Sequence, residues 1–442
     1  MVAPQQADFA RSDNPVLDRL LRAADVQKLR GVDLTLGRVE RLLHRMASPH
    51  RRLPPVFHVA GTNGKGSTVA FLRAGLEAAG YRVHVFTSPH LVRVNERIRI
   101  AGQLVTDEEF AESLAEVLRF NAGQPLSFFE ALTAAAFLLF AATPADATIL
   151  EVGLGGRLDS TNVVEQPLVT GIASLALDHM AILGPTIRHI AAEKAGIAKR
   201  DVPLVTQKYP AAIAAAVAEV ALPKGAKLRP RGEAWEAGVE EGALWFRGRD
   251  DAEPLSLPLP RLPGAHQADN AALAVAMLRA QDRLIVPEGA LRSAMGWAQW
   301  PARLQRLLAG PLPERLPQGS ELLVDGGHNP AAGKAVAAWL RQADPPLPSH
   351  LVIGMLQTKD HVGYLRAFPR GTRMTMVPIA DDHASIPTDV LADAARAAGM
   401  VADSADSIES ALALVTAPSR VLIGGSLHLA GVALRRNGTL PQ

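Results

Sequence analysis

The sequence predicts an α/β protein of two domains, and three observations carry that expectation. The 442 residues exceed the size at which a single hydrophobic core usually stops growing. Short apolar runs alternate with segments of helical periodicity in two separate stretches, the order that builds mostly parallel sheets covered by helices on both faces. Between those stretches, residues 307–320 hold Gly310, Pro311, Pro313, Pro317 and Gly319, a composition typical of a connection between domains. The boundary is therefore placed between residues 304 and 305, giving domains 1–304 and 305–442.

The elements follow in chain order. Residues 15–46 carry Leu17, Leu20, Leu21, Leu29, Leu36, Val39, Leu42 and Leu43 at helical spacing, interrupted around Gly31-Val32-Asp33, which predicts two helices joined by a loop. The apolar run 56–60 ends in a glycine-rich turn, and 67–79, helical in composition, stops at Gly80: strand, loop, helix. A strand over 82–86 leads into Thr87-Ser88-Pro89-His90. Thr106 with Glu109 three residues on announces a helix over 107–120. A helix over 130–140 and buried strands over 147–152 and 169–175 continue the alternation. After Lys199 the pattern loosens around Pro203, Pro210 and Pro223. Residues 233–263, with Trp235, Trp245, Phe246 and alternating Leu255, Leu257 and Leu259, look like hairpins of a small antiparallel sheet attached to the first domain. Helix returns over 268–281. Beyond the connection, strands at 321–324, 350–354, 374–378 and 420–423 alternate with helices at 331–341, 362–367, 390–398 and 408–415, a second and smaller α/β domain.

Composition excludes several classes. Lys plus Arg number 46 against 44 Asp plus Glu, so the charge is nearly balanced and no basic surface for nucleic acid is expected. The absence of cysteine removes disulfides and thiolate metal sites. The N-terminal residues lack the apolar core of a secretory signal, and the most apolar stretch, 131–142, falls well short of the roughly 20 residues a membrane span needs. A cytoplasmic protein without membrane contact is the expectation.

Gly61-Thr62-Asn63-Gly64-Lys65-Gly66-Ser67-Thr68, between a strand and a helix, suits phosphate binding. The glycines allow close backbone approach, the helix N-terminus adds its dipole, Lys65 supplies a mobile charge, and Ser67 or Thr68 can hold Mg²⁺. The standard P-loop spacing is not met, because position 59 is Val and Gly66 intervenes before Ser67; the bland alternative is a plain strand-to-helix turn. Glu151 ends a buried strand and opens a loop containing Gly153, Gly155 and Gly156, at the sheet edge where α/β proteins bind ligands. Ser88, Glu151 and His179 each sit just past a strand and could converge on one Mg²⁺; taken singly, His179 reads as a hydrogen-bonded structural histidine and Lys194 as a solvated charge. In the second domain Asp325 and His328 follow a strand, Asn329 with Pro330 reads as a helix cap, and Gly424-Gly425-Ser426 is a similar turn.

Together these segments resemble the folylpolyglutamate synthase and dihydrofolate synthase family of the Mur ligase superfamily, a likeness running from Leu17 to Leu427. It is carried in order by the phosphate loop, Thr87 to Leu91, Glu151 to Asn162, Leu177 to His179, Glu193 to Gly196, Trp300 to Leu304 and Asp325 to Pro330. Gly66 after the loop lysine separates this family from cell-wall ligases, whose loop typically reads Gly-Lys-Thr-Thr. Gly327, where the family commonly has Ala, and Ala302, where it has Gly, are small departures.

The resemblance implies an N-terminal P-loop ATPase domain, a smaller Rossmann-like C-terminal domain, and an ATP-dependent ligase that phosphorylates a carboxylate of dihydropteroate or a reduced folate before L-glutamate attacks the acyl phosphate. It assigns the loop from Gly61 to Thr68, with Asn270, Arg303 and Asp325, to ATP; Ser88, Glu151 and His179 to Mg²⁺; and Lys65, Lys194 and His328 to catalysis, Lys194 as a carbamate. Gly31, Val32, Asp33, Ser127, Phe128, Phe129, Glu130, Leu158, Asp159 and Ser160 would contact the pterin substrate, and Ser426, with His328, the glutamate. A monomer with both synthase activities is expected. The competing readings are a cell-wall amino-acid ligase with the same acyl-phosphate chemistry and a non-catalytic nucleotide-binding regulatory module. The joint presence of Lys65, Glu151, His179, Lys194 and His328 argues against the module.

Overall fold

The computed structural model describes residues 12–26, 34–380 and 384–441. The chain forms two compact units, Met1–Arg261 with Gln267–Gln299, and Leu262–His266 with Trp300–Gln442.

In the first unit, helices α1 (Pro15–Val26) and α2 (Gly37–Arg45) precede β1 (Val56–Ala60), α3 (Lys65–Ala78), β2 (Val83–Phe86), β3 (Ile98–Ile100), β4 (Gln103–Leu104), α4 (Asp107–Asn121), α5 (Phe128–Ala142) and β5 (Ala147–Glu151). There follow β6 (Val169–Ile172), α6 (Met180–Leu183), α7 (Ile187–Ala195), β7 (Pro203–Thr206), α8 (Ala211–Ala221) and β8 (Lys227–Pro230). An antiparallel trio, β9 (Trp235–Glu240), β10 (Ala243–Gly248) and β11 (Leu255–Pro258), leads to α9 (His266–Arg279) and α10 (Glu288–Trp297).

The large sheet has the order β4-β3-β2-β5-β1-β6-β7-β8, parallel from β2 to β8 with β3 and β4 antiparallel at one edge. β1, β2, β5 and β6 are buried along their whole length, which is why they read as unbroken apolar runs. Alternation still assigns the two faces. Val56 joins a core with residues of α1, α2, α4 and α5, and Ala60, on the same side, joins one with α7 and α8. On the other side Gly171, in register with Val59, lies against Met277 of α9.

The Thr106 capping box is present: Glu109 N–H donates to Thr106 Oγ1 at 3.2 Å and Thr106 N–H to Glu109 Oε2 at 2.9 Å. Because this cap is exposed and far from the phosphate loop in sequence, Thr106→Ala should lower unfolding free energy by about 1 kcal/mol and leave turnover alone. A denaturant midpoint equal to that of the parent would contradict the assignment.

One expectation is corrected. Residues 203–230 do not loosen into irregular chain: β7, α8 and β8 extend the parallel sheet. The prolines that suggested otherwise stand where a missing N–H is harmless. Pro203 opens β7, Pro210 precedes the first turn of α8, and Pro223 follows that helix. Residues 307–320 lie inside the second unit, where Leu307 N–H donates to Leu322 O at 2.9 Å and Pro313–Arg315 form a 3₁₀ turn.

The second unit contains β12 (Gln305–Arg306), β13 (Glu321–Val324), α11 (Pro330–Gln342), β14 (Ser349–Ile353), α12 (His361–Leu365), β15 (Arg373–Met376), α13 (Thr388–Ala397), β16 (Val401–Ser404), α14 (Ile408–Ala413), β17 (Arg420–Gly424) and α15 (Leu427–Arg436). Its sheet runs β12-β13-β17-β14-β15-β16, parallel apart from β12. β17 lies between β13 and β14, so the turns that follow β13 and β17 are neighbours. Among the described residues no helix is long and apolar enough to cross a membrane.

Candidate active site

The parallel order β2-β5-β1-β6 brings four loops to one sheet edge, because each strand delivers its following loop at its carboxyl end. The loop after β1 is the predicted phosphate loop. Gly64 takes φ 83° at the start of α3, and Asn270 of α9 lies against it with no room for a Cβ. Thr62 and Asn63 turn their N–H groups onto Ser174 O, at 2.8 and 3.2 Å, fastening the loop to the chain after β6. The first helical bond comes from Thr68 N–H to Gly64 O. Lys65, Gly66 and Ser67 therefore carry the amides without a helical acceptor, gathered at the positive end of the α3 dipole.

Lys65 Nζ stands 3.9 Å from Oε1 of Glu151, which ends β5 and is 3% exposed. Ser88, on the loop after β2, donates its N–H to Glu151 Oε2 at 3.4 Å. The hydroxyls of Ser88 and Thr68 are buried without a hydrogen-bond partner. Orphaned buried hydroxyls are uncommon, and that of Ser88, on the residue whose N–H reaches the Glu151 carboxylate, adds an oxygen donor of the kind that suits a hard divalent cation. Among the described residues no three His, Cys, Asp or Glu side chains cluster as a metal cage. His179, with φ 51°, precedes α6 and holds Nε2 3.8 Å from Asp178 Oδ1.

Lys194, near the end of α7, is buried, with Nζ 3.5 Å from Gly155 O. Burial, and after it the charge of Lys65, pulls its pKa down to about 7, against opposition from Asp178, Asp159 and Glu193. This coupling ties Lys194 to Lys65 and to the Asp178-His179 loop. Gly156 is what allows it: a Cβ there would stand 2.7 Å from Glu193 O and 2.9 Å from Lys194 Cα.

Several residues predicted to touch substrate carry structural bonds. Ser127 and Glu130 form the capping box of α5, and Glu130 also pairs with Arg38 at 3.1 Å. The Asp159 carboxylate accepts from the N–H groups of Gly153, Leu154 and Thr161 and from Thr161 Oγ1. Burial raises its pKa, and those bonds oppose the rise. Thr161 Oγ1 also meets His58 Nε2 at 2.8 Å, linking β1 to the Glu151 loop; burial holds His58 down to about 3. Ser160 Oγ bonds Thr133 Oγ1 at 2.7 Å, and Leu158 is half-buried. Phe129 lies against the Gly153 backbone, with its ring 5.6 Å from that of Phe86, while Phe128 has the Arg97 guanidinium 5.8 Å from its centroid. Gly31, Val32 and Asp33 lie outside the described residues.

In the second unit Asp325 accepts the N–H of Gly327 on Oδ1 at 2.7 Å and that of Leu304 on Oδ2 at 2.9 Å. Arg303 Nη1 donates to Ala302 O at 2.9 Å, and His328 Nδ1 is 3.0 Å from Gly326 O. Asn329 caps α11 and Ser426 caps α15. These groups gather at the carboxyl ends of β13 and β17.

Free helix-end amides beside a lysine, a buried carboxylate and two unbonded hydroxyls are the equipment of an enzyme that handles nucleoside triphosphate phosphates. The second unit narrows the class: the family described as Mur ligase, glutamate ligase domain matches residues 313–427. The dihydrofolate synthase/folylpolyglutamate synthase of Escherichia coli strain K12 is 38% identical over 336 residues, covering 76% of this chain and 75% of that protein. The structure of E. coli FolC in complex with DHPP and ADP superposes with a TM-score of 0.83 at 33% identity, covering 98% of each chain. A bifunctional folylpolyglutamate synthase/dihydrofolate synthase with Mn, AMPPNP and L-glutamate bound gives 0.78 at 32%, covering 92% of this chain and 94% of that one. The chain belongs to the folylpolyglutamate synthase/dihydrofolate synthase family of Mur ligases, which are ATP-dependent glutamate ligases.

Proposed function

We propose that this chain uses Mg-ATP to activate a carboxylate of dihydropteroate or of a reduced folate and joins it to L-glutamate, performing both synthase steps. The observation that carries this reading is the convergence of Lys65 and Ser88 on Glu151 beside the free amides of α3. Those amides and Lys65 hold the phosphates, with Asn270 against the loop; in the second unit Arg303 and Asp325 serve the nucleotide. A Mg²⁺ held by Ser88, Glu151 and His179 would neutralise charge on the transferring phosphoryl group. A carboxylate oxygen of the acceptor attacks the γ-phosphorus as the bond to ADP breaks. The glutamate amine then attacks the acyl carbon and phosphate leaves. His328 and Ser426 bind and orient the glutamate.

Lys194 acts as a carbamate, an anion in place of a cation. The support is its buried amine with a pKa near 7, since carbamate forms only from the neutral amine. Phe128 and Phe129, half-buried at the start of α5, offer ring faces to the flat pterin substrate.

The deciding assay supplies purified protein with ATP, L-glutamate and either dihydropteroate or tetrahydrofolate. ADP release and amide product are expected with both. Turnover of one alone would remove the dual activity, and turnover of neither would remove the ligase reading.

A further inference from the structure

Arg97 closes the 3₁₀ turn Val94–Arg97 just before β3, and its carbonyl accepts the N–H of Thr87 at 2.9 Å, beside Ser88. Its side chain is turned inward, leaving the residue 6% exposed. Nε donates to His90 Nδ1 at 2.8 Å, a neutral acceptor site, and the guanidinium lies 5.8 Å from the centre of the Phe128 ring. Among the described residues no carboxylate comes within the 4.0 Å of an ion pair with it. The two nearest in electrostatic effect are engaged elsewhere. Glu96 accepts the amides of Leu91, Val92 and Arg93, while Glu151 faces Lys65 and Ser88. Although burial lowers its pKa to about 10, the side chain stays charged at neutral pH.

A buried cation without a counter-ion is unfavourable unless something supplies one. The guanidinium has a planar fork matched to a carboxylate, one edge anchored by His90 and an aromatic face alongside. We propose that Arg97 is the receptor for the carboxylate of the acceptor substrate, with Phe128 against the aromatic ring that bears it. The proposal rests on the ligase reading and specifies it further. It accounts for a buried cation placed close enough to Glu151 to feel its charge yet without a protein carboxylate paired to it.

The test compares binding of dihydropteroate with that of its carboxamide, in which the charge is lost and the shape kept. The wild-type protein should bind the acid about tenfold more tightly or better. In Arg97→Gln the gap should shrink to about twofold or less, with ATP affinity unchanged. Arg97→Lys, which keeps the charge but loses the fork, should fall between. A gap that persists in Arg97→Gln, or no gap in the wild-type protein, overturns the proposal. A second arm needs no variant: benzoate should displace bound dihydropteroate and benzamide should not, and equal displacement overturns the proposal as well. If the wild-type protein binds neither pteroate compound, the ligase reading itself has failed, and that is seen before any substitution is made.

Discussion

Lys65→Met should lower kcat by about 10²- to 10³-fold, the usual loss when one preorganised charge is removed from a phosphoryl-transfer site. The side chain leaves the first turn of α3 with its amine 3.9 Å from Glu151 and 17% exposed, so its field acts in a poorly screened setting. Two further consequences distinguish this from simple loss of a phosphate contact. Glu151 loses the cation 3.9 Å from its Oε1, so the divalent-ion concentration needed for half-maximal rate should change. Lys194 loses the second-largest influence holding its pKa down. Its amine should then be protonated over more of the neutral range, and whatever rate remains should need a higher pH. Lys65→Arg should not restore the parent rate, because a planar fork cannot replace a compact ammonium at this position. A methionine variant within about tenfold of the parent in kcat would take Lys65 out of the phosphoryl-transfer step.

The strands that build the site were legible because they are buried on both faces and announce themselves as apolar runs. β1, β2, β5 and β6 fall within a residue or a few of their expected limits. Elements at the sheet margins were harder. β16 buries only Ala402 of its four residues, so nothing apolar marked it, and β7 and β8 were hidden by prolines at their ends. Within the site, residue type alone did not reveal the bonds that hold each side chain. Asp159 and Ser127, which the resemblance assigns to the substrate, also accept from the N–H groups of Gly153, Leu154 and Thr161 and of Glu130 respectively, contacts that their types do not announce. The grip of Ser174 O on the phosphate loop is a backbone contact, and no side-chain pattern encodes it. Arg97 gave no signal, because a charged residue before a short strand reads as exposed until the chain packs around it.

Lys194→Ala should also lose about 10²- to 10³-fold in kcat, and added short carboxylates or bicarbonate should recover part of it by placing an anion where the proposed carbamate would stand. Carbamate formation joins the lysine nitrogen to the carbon of CO₂ and releases a proton, so it requires the unprotonated amine. With a pKa near 7 in place of the usual 10.5, about nine-tenths of the side chain is neutral at pH 8 and about one-tenth at pH 6. Carbamate occupancy, and with it the rate in carbon-dioxide-depleted buffer, should therefore fall as pH drops through 7 and recover on adding bicarbonate. The same protein incubated with isotopically labelled bicarbonate should show a carbamate carbon resonance at pH 8 that is absent from the alanine variant. Full activity of the unrescued variant would refute the assignment. So would a wild-type rate indifferent to carbon dioxide at pH 6, because Lys194 would then be working as an amine, and its depressed pKa would reflect only its burial beside Lys65.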